Sequence, residues 1–258
     1  CFSAFAVGSA IAVPTLPEGA VALVPMRNVV LFPHMLLPVT VGREKSLAAI
    51  AHAVQEKRPV GIVLQRDAQV DDPGREALFD VGTLATVSHV TATEDGQQHL
   101  LCQGLQRFRI VELLPGHPFL AARIEPHEEA ATFSAEAEAL ALQLRERAME
   151  LLSLLPSVPA ELSHAVRATR TPGQLAELTA SLIDVETEEK QQLLEIFNLE
   201  QRLQKLLRTL THRIQVLRLS QEIGQRTKEQ LDDRQRRYLL REQLRAIQKE
   251  LGEDDGGG

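Results

Sequence analysis

The chain has 258 residues, 44% of them hydrophobic and only 3% aromatic, with no Trp and one Tyr. That apolar content excludes a disordered protein, and the shortage of rings argues against a stacking platform for single-stranded nucleic acid. The net charge of −7 hides a polarised chain: residues 128–189 hold 12 acidic and 4 basic side chains, whereas residues 190–251 hold 14 basic and 8 acidic. The two segments either attract one another or present solvated faces to separate surroundings.

Residues 1–20 stay unassigned. Their apolar run from Cys1 to Val13 lacks a basic leader and is too short to span a bilayer. A chain that opens on Cys reads as a fragment or a processed product, with a lipidated Cys1 as the alternative. The only cysteines, Cys1 and Cys102, make no disulfide framework, which fits a reducing compartment. No other segment is long and apolar enough to cross a membrane.

From residue 21 to 127 the chain shows short Val- and Leu-rich runs punctuated by Gly and Pro, the pattern of strands and turns. Strands are predicted over 21–26, 36–41, 60–64, 79–90, 99–113 and 119–124, with one amphipathic helix over 43–57. Pro25, Pro33 and Pro38 bracket the segment between the first two strands. Because proline removes a backbone donor, that segment belongs at a sheet edge or a turn. Gly82 marks a bulge or bend, Gly104 is a second interior glycine, and Asp95-Gly96 is a hairpin turn. Six strands around one helix suggest a small closed or nearly closed β-fold.

Residues 128–190 change to Ala-, Leu- and Glu-rich stretches, predicting helices over 135–155, 160–169 and 171–183. Pro159 and Thr171-Pro172 are start signals. Residues 191–252 read as one long helix. Leu199, Leu203, Leu206, Leu210 and Leu217 form a heptad seam at one end, and Leu240, Leu244, Ile247 and Leu251 form another. Residues 224–237 between them carry only Leu231 as an aliphatic, so that stretch is a solvated helix or bends at Gly224. Residues 253–258 are a flexible end.

There is no G-x-x-x-x-G-K-[ST] phosphate loop, no G-x-S-x-G elbow, no H-E-x-x-H pair and no C-x-x-C, so neither catalytic residues nor metal or cofactor ligands are expected. His34 reads as a capping or packing residue. Glu128, Glu129, Glu188 and Glu189 read as helix-start charges. Arg234, Arg236, Arg237, Arg241 and Arg245 would suit phosphates, but Asp232, Asp233 and Glu242 blunt the patch.

Four stretches go further. Residues 23–35 (LVPMRNVVLFPHM), followed by Pro38 and by 41–46 (VGREKS), closely resemble the opening of bacterial Lon proteases. Residues 79–85 (FDVGTLA), 104–110 (GLQRFRI) and 238–253 (YLLREQLRAIQKELGE) resemble further segments in family order. The resemblance implies an α+β fold: a small PUA-like β-barrel domain over 21–127, an α-helical bundle over 128–190 and a long C-terminal helix over 191–252. It also implies the substrate-recognition and assembly region of a cytoplasmic, homohexameric, ATP-dependent serine endopeptidase that degrades misfolded and short-lived regulatory proteins. ATP, Mg and the Ser-Lys dyad of such a protein would lie in ATPase and protease domains outside these residues. The expected partners are unfolded or damaged proteins and those two domains, with no membrane. Phe32, Met35 and Leu36 are the candidate substrate contacts, because a proline-bracketed edge exposes its neighbours, and Gly224 is the candidate hinge. The competing readings are a stand-alone Lon-domain adaptor and a nucleic-acid-binding PUA-like module.

Overall fold

The computed structural model describes residues 15–92, 96–130 and 132–250. Most of the unassigned opening segment, Asp95 of the hairpin turn, and residues 251–258, with Leu251 of the second seam, lie outside them.

Six strands form one mixed sheet: β1 (Ala20–Met26), β2 (Leu36–Val41), β3 (Val60–Leu64), β4 (Val81–Ala92), β5 (Gln98–Leu114) and β6 (Ala121–His127). The order is β2-β5-β4-β3-β1-β6, with β5 and β6 also paired. Helix α1 (Glu44–Glu56) makes the crossover that lets β3 lie parallel to β1. It buries Ala49, Ile50 and Ala53 against β1 and β3. Gly96, in the β4–β5 connection, has a φ of 75°, as a tight hairpin requires.

The expected closed or nearly closed β-fold is a sheet curled round by the β5–β6 pairing rather than a closed barrel, with β2 left as an open edge. β5 is 17 residues long, and one of its sides is shared between β2 at 98–103 and β6 at 107–114. Among the described residues β2 therefore has a single strand neighbour. Gly104 donates its N–H to the Met35 carbonyl (2.9 Å), so Met35 faces β5. By strand alternation, the backbone groups of Leu36, Pro38 and Thr40 point to the open side. Pro38 thus sits where its missing N–H costs the ladder nothing.

The strand bulge falls near Gly82 but not at it. The register shifts between Leu84 and Ala85, leaving Leu105 of β5 unmatched. Gly82 has a different duty: a Cβ there would come 2.7 Å from the Phe108 ring, which fills the sheet interior beside Leu23, Val63, Leu78 and Ile124.

The helical layer comprises α2 (Ala135–Leu154), α3 (Ala160–Ala168), α4 (Pro172–Leu182), α5 (Thr187–Glu195) and α6 (Leu199–Glu250). Local chemistry sets the starts. The Ser134 hydroxyl accepts from the Ala137 N–H (3.0 Å), and Thr171 accepts from the Gln174 N–H (3.3 Å) ahead of Pro172. The continuous helix read over 191–252 is broken at 196–198, where Asn198 caps α6 by accepting from the Gln201 N–H (2.9 Å).

The first heptad seam does not wait for a second chain. Leu203, Leu206 and Leu210 are completely buried against α2 and α4 within the same molecule, at about 1.5–3 kcal/mol each. Gln221 still donates to the Leu154 carbonyl of α2 (2.9 Å), beyond which the helix leaves the bundle, and Leu219, Ile223, Leu231, Leu240, Leu244 and Ile247 are exposed.

The acidic and basic segments do meet. Asp184 pairs with Arg213 (2.5 Å) and Glu150 with Arg218 (2.5 Å) at the surface. A buried cluster joins sheet to bundle. Arg107 of β5 donates to Glu177 of α4 (2.9 Å) and to the Leu194 carbonyl of α5 (2.9 Å). Arg202 of α6 donates to Glu129 of the β6–α2 connector and to the Ile196 carbonyl (2.8 Å). Nearby, Gln191 donates to the Val81 carbonyl of β4 (3.0 Å).

Candidate functional site

The segment between β1 and β2 runs over the seam of the two layers and shapes one side of a cleft of ≈ 490 Å³. Asn28, Val29, Val30, Met35, Leu36 and Leu37 line that side. Ser181, Val185, Thr187 and Lys190, from α4, α5 and their connection, line the other.

Backbone chemistry holds the segment in place. Thr83 donates its hydroxyl to the Leu31 carbonyl (2.6 Å), the His34 N–H donates to the Gly104 carbonyl (2.9 Å), and the Met35 N–H donates to Phe32 O (3.2 Å). His34 takes a left-handed φ of 63°, which turns the chain sharply after Pro33. Position 104 must be glycine for this approach: an added Cβ would collide with the Phe32 carbonyl.

This anchoring separates the three candidate contacts. Phe32 lies at the floor of the cleft but is 1% exposed and belongs to the bundle core with Val81, so it offers almost no surface to a ligand there. The turn at Pro33-His34, pressed onto Gly104, drives its ring inward between sheet and bundle. Met35 is half-buried, with its Sδ 3.5 Å from the Ser181 hydroxyl. Leu36 is 60% exposed. The Thr187 hydroxyl donates to the Asn28 carbonyl (3.4 Å), tying the two walls. Lys190 donates to the Ser181 carbonyl (3.3 Å), and partial burial holds its amine below the usual lysine range against the pull of Asp184. The result is an apolar shelf with polar backing.

A second cavity of ≈ 280 Å³ lies at the start of α1. Its cations are already engaged, Lys45 with Asp72 (2.5 Å) and Arg43 with Gln65 (2.6 Å) and the Pro25 carbonyl, and Arg27 from outside it holds Asp71 of its wall (2.5 Å). Among the described residues no group of three or more His, Cys, Asp or Glu side chains converges as metal ligands. No helix among them is long and apolar enough to cross a membrane. The hinge candidate Gly224 lies exposed within α6, which runs helically from 199 to 250 through that position.

A curled mixed sheet docked on a helical bundle is the fold this chain shares with solved Lon N-terminal domains. The N-terminal domain of Mycobacterium avium complex Lon protease superposes with a TM-score of 0.64 at 20% identity, covering 74% of this chain and 98% of that one. A Lon N-terminal domain protein from Xanthomonas campestris gives 0.51 at 17% identity, covering 73% and 96%. Residues 20–212 match the family described as the ATP-dependent protease La (LON) substrate-binding domain, and the chain belongs to that family. Lon protease of Paraburkholderia phytofirmans is 47% identical over 240 residues, and that of Phenylobacterium zucineum is 46% identical over 242. Both alignments cover 93% of this chain but 30% of the relative's length.

Proposed function

We propose that this chain recognises clients for an ATP-dependent protease, holding unfolded or damaged proteins while ATPase and Ser-Lys peptidase domains outside these residues process them. The observation that carries the reading is the cleft itself: Leu36, 60% exposed, and Met35 stand at its mouth on a domain of the Lon substrate-binding family. Covering these two side chains with a client contributes about 1–2 kcal/mol each, which is weak capture. A homohexamer would compensate, since six linked sites raise the effective client concentration without any one tight contact. Misfolded and short-lived regulatory proteins in the cytoplasm are the clients this reading expects. ATP and Mg act in the ATPase domain.

The test is fluorescence anisotropy with a permanently unfolded probe, reduced and carboxymethylated α-lactalbumin, on this chain. Met35→Asp with Leu36→Asp is expected to raise Kd at least fivefold, because charged groups in the shelf oppose apolar docking. Parent-like binding by a double variant with unchanged melting would remove the cleft from the mechanism. Hydrolysis of ATP or casein by the purified chain would overturn the non-catalytic assignment.

A further inference from the structure

The cluster that joins sheet to bundle is composed unlike the core around it. Arg107, Glu177 and Arg202 are 2%, 1% and 0% exposed, among the most deeply buried large side chains of the molecule. Removing such charges from water is expensive, and burial pushes Glu177 up to about 7, against the pull of Arg107, and Arg202 down to about 8. The pairing only partly offsets this. Glu177 Oε1 and Arg202 Nε lie 3.2 Å apart, yet neither makes a hydrogen bond. Apolar side chains of similar volume would fill the same space with no such penalty.

What the charges supply is direction. The Arg107 guanidinium reaches Glu177, the Leu194 carbonyl and, at 3.6 Å, Glu129; Arg202 reaches Glu177, Glu129 and the Ile196 carbonyl. One strand, the connector, α4, the end of α5 and the start of α6 are thereby tied at a single point. Planar guanidinium forks tolerate few orientations, whereas an apolar interface tolerates sliding. The break at 196–198 lies here too, with Phe197 edge-on to His127 (4.7 Å) and under Arg109 (5.2 Å).

We propose that the Arg107–Glu177–Arg202–Glu129 cluster is an orientation lock, which fixes the angle between the sheet and α6. It acts whatever the cleft binds, so it stands apart from the client-capture reading. Its role is conformational: a lever as long as α6 transmits motion to the sheet only if its base does not swivel.

The experiment places spin labels at Thr86→Cys on β4 and Gln215→Cys on α6, in a Cys1→Ser version of the 258-residue chain whose Cys102 is buried and shielded. A second labelled pair, Glu161→Cys with Gln215→Cys, lies wholly within the helical layer. Glu177→Gln and Glu129→Gln each remove one carboxylate charge with little change in shape. Both are expected to at least double the width of the sheet-to-α6 distance distribution while leaving the bundle pair unchanged. Glu177→Gln has the larger effect. A parent-like sheet-to-α6 width in Glu177→Gln would overturn the lock, and so would broadening of both pairs together. Should Glu177→Gln fail to fold, Glu129→Gln decides alone: its carboxylate is 28% exposed, so water can reach the arginines it leaves, and a parent-like width there refutes the proposal.

Discussion

Replacing Phe32 by Ala distinguishes a core plug from a client contact. The ring is 1% exposed and packs between sheet and bundle, so its removal opens a cavity that the anchored 31–35 turn cannot close. Truncations of this kind cost about 3–5 kcal/mol. For a folding unit near 200 residues, each kcal/mol shifts the melting temperature by about 2–4 °C, so Phe32→Ala is expected to melt roughly 6–20 °C lower. Leu36→Ala, on a side chain 60% exposed, should stay within about 0.5 kcal/mol of the parent. Urea denaturation of both variants with anisotropy in parallel supplies the contrast. The reasoning fails if Phe32→Ala loses under 1 kcal/mol while weakening client binding, for the ring would then face outward in solution.

Cys102 is completely buried, and desolvation pushes its thiol up to about 11; in a Cys1→Ser chain at pH 8 it should react with Ellman's reagent only after denaturant is added, and fast native labelling would contradict the burial. Gly224→Ala should stabilise α6 by about 1 kcal/mol, since nothing lies within 4 Å of the added methyl. If, as proposed, the chain serves a longer ATP-dependent protease and Gly224 is a hinge, the variant should slow that protease's processing of folded clients; unchanged processing discards the role. His52 packs on the Phe119 ring (4.9 Å), and burial lowers its pKa, with help from Arg58 and His117 against Glu56. The unfolded chain therefore binds that proton more tightly, so stability present above the unfolded value near 6.5 is lost as pH falls. The urea midpoint of the parent should drop further between pH 7 and 5.5 than that of His52→Leu.

The sheet was legible because its strands are apolar runs bounded by Pro and Gly, and the prolines placed the segment before β2 at a sheet edge or a turn. The helix starts at Ser134 and Thr171-Pro172 follow from local capping. The joint at 196–198 was not read, although Asn198 is a good capping residue, because Ile196 and Phe197 continue the apolar rhythm without Pro or Gly. Its break depends on Arg107 and Arg202 reaching carbonyls from elsewhere in the fold. The buried cluster was foreshadowed only as opposite charge in two segments, since composition does not show which carboxylate meets which guanidinium. Of the cleft, Leu36 and Met35 were readable from the proline-bracketed motif. The inward turn of Phe32 was not, because it is set by His34 and by contact with Gly104, some seventy residues away in sequence.

Pro38 has one more consequence. A molecule that meets unstructured chains runs the hazard of becoming a template for them, because a free strand edge invites zippering into cross-β aggregates. Beside β2 an incoming backbone finds Leu36 and Thr40 able to donate but a gap between them. It can rest its side chains on the shelf, yet it cannot close an unbroken ladder. If the cleft holds extended polypeptides as proposed, they would release without zippering onto β2.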